Sequence, residues 1–106
     1  MTNRIKKAVS VLILSGKSVE PVLKTLNSHF HSLIERAETV ADPSDYVRYK
    51  QAADFVCDLD FDIDFWSRDN SESWTTLGKR IPDEAVLAVN HCYSVAVAAQ
   101  HVDLTV

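Results

Sequence analysis

The stretch from Pro82 to Val102, PDEAVLAVNHCYSVAVAAQHV, carries no formal charge between Glu84 and Asp103. Small residues recur at helical spacing along one stripe (Ala85, Ala88, Cys92, Ala96, Ala99), and larger apolar ones along another (Val86, Val89, Tyr93, Val97). A helix that is apolar on most sides is ordinarily surrounded by its own protein. The small stripe lets a neighbouring backbone come close. The sequence therefore predicts a central helix over about 82–102, with Asn90, His91, Ser94 and Gln100 as polar residues accommodated by packing.

Three further helices are expected around it. The first covers about 3–15, where Ile5, Ala8, Val9, Leu12 and Ile13 share a face. Gly16 follows as a left-handed stop, and Ser18 is a suitable N-cap for what comes next. The second helix, about 19–40, has the clearest periodicity: Val19, Val22, Leu23, Leu26, Phe30, Leu33, Ile34 and Ala37. Pro21 falls in its first turn, where a missing N–H does no harm. Asp42-Pro43 opens the third helix, with Asp42 as N-cap and proline at the first helical position.

The segment DLDFDIDF, Asp58 to Phe65, alternates like a half-buried strand when read alone. Joined to the preceding residues, Ala52, Phe55, Val56, Leu59, Ile63 and Trp66 make one helical face. Aspartate is poor in strands, and no partner strand is evident. The reading is a helix over about 43–67, with Cys57, Phe61 and Phe65 turned away from the core. SRDNSES is a polar loop, and a short helix is expected near 72–77, stopped at Gly78. The expected fold is all-α: one domain spanning 1–106, a compact bundle of four main helices and one short one.

A chain of 106 residues can bury a core without staples. Its 46% apolar and 25% charged residues are those of a globular protein. The two cysteines, Cys57 and Cys92, form no disulfide framework, which favours a reducing, cytoplasmic setting. Arg4, Lys6 and Lys7 before AVSVLIL resemble a signal peptide, but no small-x-small site follows and Lys17 comes too soon. No stretch reaches the roughly 20 apolar residues of a membrane span.

The net charge of −4 is unevenly spread. Residues 1–41 carry six bases against three acids, whereas residues 42–73 carry nine acids against three bases. An acidic surface repels nucleic acid and membranes and attracts basic partners. Neither a nucleic-acid nor a membrane ligand is expected.

Catalytic signals are sparse. His29 and His31 diverge by about 200° on a helix, so they do not share an ion easily. No HExxH or His-x3-His spacing is present, and neither a metal nor another cofactor is expected. Cys57 and Cys92 sit among apolar residues, which suppresses thiol reactivity. Gly16 and Gly78 are too far apart to make a phosphate loop, and the R-x4–6-H motif of small helical ribonucleases is missing. One enzyme reading stands. Glu35-x-x-Glu38 and the series Asp54, Asp58, Asp62 resemble the magnesium-binding carboxylates of all-α NTP pyrophosphatases, with DxxxD in place of the ExxD of that motif.

The acidic third helix is the strongest lead. Asp54, Asp58 and Asp62 form one expected ridge; Asp60 and Asp64 form another that brackets Phe61 and Phe65, and Asp69 and Glu72 continue the acid into the loop. Exposed aromatics framed by carboxylates suit a protein interface: the rings supply buried area, and the charges steer a basic partner and set register. The alternative is that both rings are core and the acids only solubilise. Homo-oligomerisation through Phe61 and Phe65 is a further possibility.

Three stretches carry a resemblance: LILSGKSVEPVLKTL (Leu12 to Leu26), AADFVCDLDFDIDFW (Ala52 to Trp66) and GKRIPDEAVLAV (Gly78 to Val89). Together they resemble the small helical immunity proteins of bacteriocin and contact-dependent inhibition systems, of the colicin D type. The resemblance implies a four-helix fold that binds a cognate basic nuclease toxin and blocks its active site through acidic residues. The expectation is therefore a non-enzymatic inhibitor with an acidic–aromatic surface on the third helix, which packs on the central one. A phage or mobile-element protein that inhibits a host defence factor fits the same pattern.

Overall fold

The computed structural model describes residues 2–69 and 74–101. They form four α-helices: α1 (Thr2–Leu14), α2 (Glu20–Thr39), α3 (Pro43–Asp69) and α4 (Val86–Ala99), the last preceded by a 3-10 turn at Asp83–Ala85. No strand occurs among the described residues. The segment 58–65 is helical throughout, so the apolar face it shares with Ala52, Phe55 and Val56 prevails over its local alternation.

Several helix ends have a local cause. Gly16 takes φ +73; its N–H bonds to Ile13 O at 3.0 Å, and that of Lys17 reaches Leu12 O at 2.9 Å. This pair of bonds closes the end of α1 as a Schellman motif. Ser18 Oγ accepts from Glu20 N at 3.1 Å, one residue outside the N-cap position, which Val19 occupies. Asp42 caps α3 as its sequence suggests: its Oδ1 accepts from both the N–H and the hydroxyl of Ser44, each at 2.8 Å. The last helix starts later than the expected residue 82. Pro82 has no N–H and is extended (φ −58, ψ 143), and the chain enters α4 through the 3-10 turn.

The core is one apolar cluster. Ile5, Val9 and Leu12 come from α1; Val22, Leu26 and Leu33 from α2; Val56, Leu59, Ile63 and Trp66 from α3; Ala88, Val89, Cys92 and Ala96 from α4. The helices pack in the order α3, α2, α4, α1. The residues 40–42 turn α3 back along α2, as a short helix–helix link requires. Two expectations about the last helix need correction. It is not enclosed: Leu87 is 72% exposed, and Asn90, His91, Ser94 and Ala98 face outward. The acidic α3 packs chiefly on α2. The small stripe of α4 does seat it closely, with Ala85, Ala88, Cys92 and Ala96 at 0–1% exposure, but on one side only.

The short helix expected near 72–77 lies partly outside the described residues, and its described part is a turn. Leu77 N bonds to Trp74 O and Lys79 N to Thr76 O, at 3.3 and 3.1 Å, and Gly78 takes φ +85. The turn is held from outside. Oδ1 of Asp62 accepts from the N–H and hydroxyl of Thr75 at 3.1 and 3.2 Å, and Oδ2 from those of Thr76 at 3.0 and 2.6 Å. One carboxylate of α3 thus satisfies four donors and pins the returning chain to the helix.

Candidate protein-binding surface

On α3, residues Val47, Asp54, Asp58, Phe61 and Phe65 follow one another at seven, four, three and four positions, which places them on one helix face. Opposite lie Ala52, Val56 and Ile63, all at 0% exposure. Phe61 is 56% exposed and Phe65 49%. The two rings stand one turn apart on a 27-residue helix that buries its other large apolar residues from Ala52 to Trp66. The reading that both rings belong to the core is therefore set aside.

The carboxylates divide. Asp54 is exposed, with Lys50 Nζ at 3.7 Å. Asp58 is half-buried, with Lys79 Nζ at 3.6 Å. Asp64 is half-buried and bonds Arg68 at 2.8 Å; the Arg68 guanidinium also lies 5.5 Å from the centre of the Phe65 ring. Asp60 is half-buried at the flank of the helix, and burial, then the charge of Asp64, pushes its carboxyl above the usual range. Asp62 is 4% exposed and is spent on Thr75 and Thr76. It is removed from the expected ridge, because α3 places it between Leu59 and Trp66 on the core side. Asp69 is the last residue of α3, with its side chain outside the description, and Glu72 lies outside the described residues.

The surface is thus an aromatic pair in a rim of alternating charge. Asp54, Asp58 and Asp64 each face a cation of this chain. Such exposed pairs contribute about 0–1 kcal/mol each and open readily, so an incoming guanidinium or ammonium can take the place of Lys50, Lys79 or Arg68. Sequence reasoning missed Val47, 48% exposed on this face, and the three cations. Lys50 and Arg68 were legible from their i,i+4 spacing to Asp54 and Asp64. Lys79 was not, because it reaches Asp58 only through the turn that Asp62 anchors.

Among the described residues no three His, Cys, Asp or Glu side chains converge as a cation site. Glu35 and Glu38 are exposed on α2, and Asp62, the third member of the α3 carboxylate series, is already saturated. No helix of the described residues is long and apolar enough to cross a membrane. No family model, no curated protein and no solved structure matches this chain.

Proposed function

We propose that this chain is a non-enzymatic inhibitor of the immunity-protein kind, which neutralises a basic toxin or nuclease by covering it with the outer face of α3. The observation that carries this reading is the exposure of Phe61 and Phe65, at 56% and 49%, in the C-terminal third of a long, well-packed helix. Fully burying a phenylalanine side chain is worth about 1.5–3 kcal/mol. Two such rings on a rigid helix are anchors whose ordering is already complete in the free protein. The carboxylates around them then select a partner that brings Lys or Arg. A nuclease holds nucleic-acid phosphates with those same cations, so occupying them blocks its substrate.

The test is capture from the producing cell with wild-type protein and with Phe61→Ala/Phe65→Ala, followed by assay of the captured protein's toxicity or nuclease activity. The expected result is a basic protein that wild type binds and inhibits and the double variant releases. Asp54→Asn/Asp58→Asn is expected to slow association and flatten its salt dependence. Asp62 is left intact, because its replacement reports on the fold. Capture that survives loss of both rings, or a captured protein whose activity is unaffected, overturns the reading.

A further inference from the structure

Away from α3, His29 of α2 and His91 of α4 meet on the surface. Their facing nitrogens, Nε2 of His29 and Nδ1 of His91, lie 2.9 Å apart. The ring centroids are 5.2 Å apart with planes at 87°, the separation of two imidazoles joined end to end through one N–H···N bond. Among the described residues it is the side-chain hydrogen bond that links α2 to α4. It borders a cleft of ≈ 320 Å³ lined by His29, Ser32, Leu33, Arg36, Tyr49, Glu84 and Leu87.

We infer that His29 and His91 form an acid-sensitive latch between α2 and α4, closed while one proton occupies the gap between the facing nitrogens and broken when each nitrogen carries its own. The proton count follows from the imidazole inventory. A neutral pair holds two protons on four nitrogens, one in the gap and one on an outer nitrogen. A first added proton goes to the remaining outer nitrogen, and the bond becomes charge-assisted. The second must enter the gap. Two N–H groups cannot point at each other across 2.9 Å, so the rings part, and two like charges then face each other across the seam.

The neighbouring charges do not relieve this. From α2, Arg36 lines the same cleft, its guanidinium 5.9 Å from the centre of the Tyr49 ring of α3. The one acid in the lining, Glu84, is already paired with Arg48 of α3 at 3.3 Å. Burial, then the positive field of His91, holds the His29 imidazole below its ordinary value. A histidine depressed in the folded state is protonated first in the unfolded chain. Its contribution to stability is therefore present above about pH 6.5 and is lost as pH falls through the folded value.

The experiment is thermal unfolding of wild type, His29→Ala, His91→Ala and the double variant between pH 7.5 and 5, with imidazole titrations of the wild type by NMR. At pH 7.5 the two substitutions are expected to be non-additive, with a coupling that disappears or changes sign by pH 5. The NMR signals of the His29 ring are expected to titrate below the ordinary imidazole range. A coupling that is constant with pH, or a His29 ring that titrates in the ordinary range, overturns the latch. The NMR arm needs no variant, so it decides the matter even if a substitution disturbs the fold.

Discussion

The hydroxyl of Thr76 donates to Oδ2 of Asp62 at 2.6 Å, fourteen residues back along the chain. These two are the buried polar residues of the described core, at 0% and 4% exposure. The bond draws the segment after α3 down onto the helix and so brings Lys79 to Asp58. Removing the carboxylate leaves the N–H and hydroxyl of Thr76 buried without an acceptor. Asp62→Ala is therefore expected to destabilise by roughly 3–5 kcal/mol, Thr76→Val by about 2 kcal/mol and the more exposed Thr75→Val by under about 1 kcal/mol. Asp62→Ala with Thr76→Val should cost less than the sum of the singles, since each removes the other's partner. Urea unfolding of the four variants measures this order. Equal and small effects at all three positions would show that the turn is not anchored here.

Asp62 also shows where sequence reading stopped. In DLDFDIDF every second residue is an aspartate, and all five acids from Asp54 to Asp64 read alike as solvated charge. The helix distinguishes them by position. Phe55, Leu59, Asp62 and Trp66 follow at four, three and four residues, a continuous core stripe with one carboxylate in it. That spacing was a readable sign that Asp62 is buried and needs donors. The donors themselves were not readable, because Thr75 and Thr76 return through a loop whose path no periodicity encodes. The same limit hid Lys79 and the contact of His29 with His91, which join elements far apart in the chain. The helices, the Gly16 stop, the Asp42 cap and the outward Phe61 and Phe65 were legible, since each follows from neighbours within a few residues.

The cap at Asp42 ties fold stability to acid. Hydrogen bonds from the hydroxyl and then the N–H of Ser44 hold its carboxyl below the usual value. An acid whose folded value is depressed contributes stability that is present above its unfolded value, near pH 4, and is lost as pH falls through the folded one. Asp42→Ala is expected to lower the melting temperature at pH 7 and to converge on wild type in stronger acid. Asn is also a good N-cap but does not titrate in this range. Asp42→Asn should recover much of the neutral-pH stability and remove this part of the pH dependence. A difference between wild type and Asp42→Ala that is the same at pH 7 and pH 3 would show that the carboxylate's charge plays no part in the cap.

The two thiols provide a readout of packing on α3 and α4. Burial, then the charge of Asp60, pushes Cys92 up to about 12. Cys57 is also raised, by burial first and then by Asp58, Asp60 and Asp54. The thiolate is the reactive species, so at pH 8 both should react with a disulfide reagent more slowly than free cysteine. The two should still separate. Cys57 is half-buried, and the reagent can reach it in the folded protein, whereas Cys92 is at 0% exposure and must wait for the chain to open. Cys57→Ser should leave a protein whose remaining thiol reacts at the rate of unfolding and accelerates with urea, and Cys92→Ser one whose thiol reacts by a path independent of urea at low concentration. Asp60→Asn should quicken Cys57 by removing one of the charges that oppose its ionisation. If Cys92 reacts in the native protein as fast as Cys57, α4 is not seated against α1 and α2 as described, and the rigidity of the bundle behind the α3 surface is lost with it.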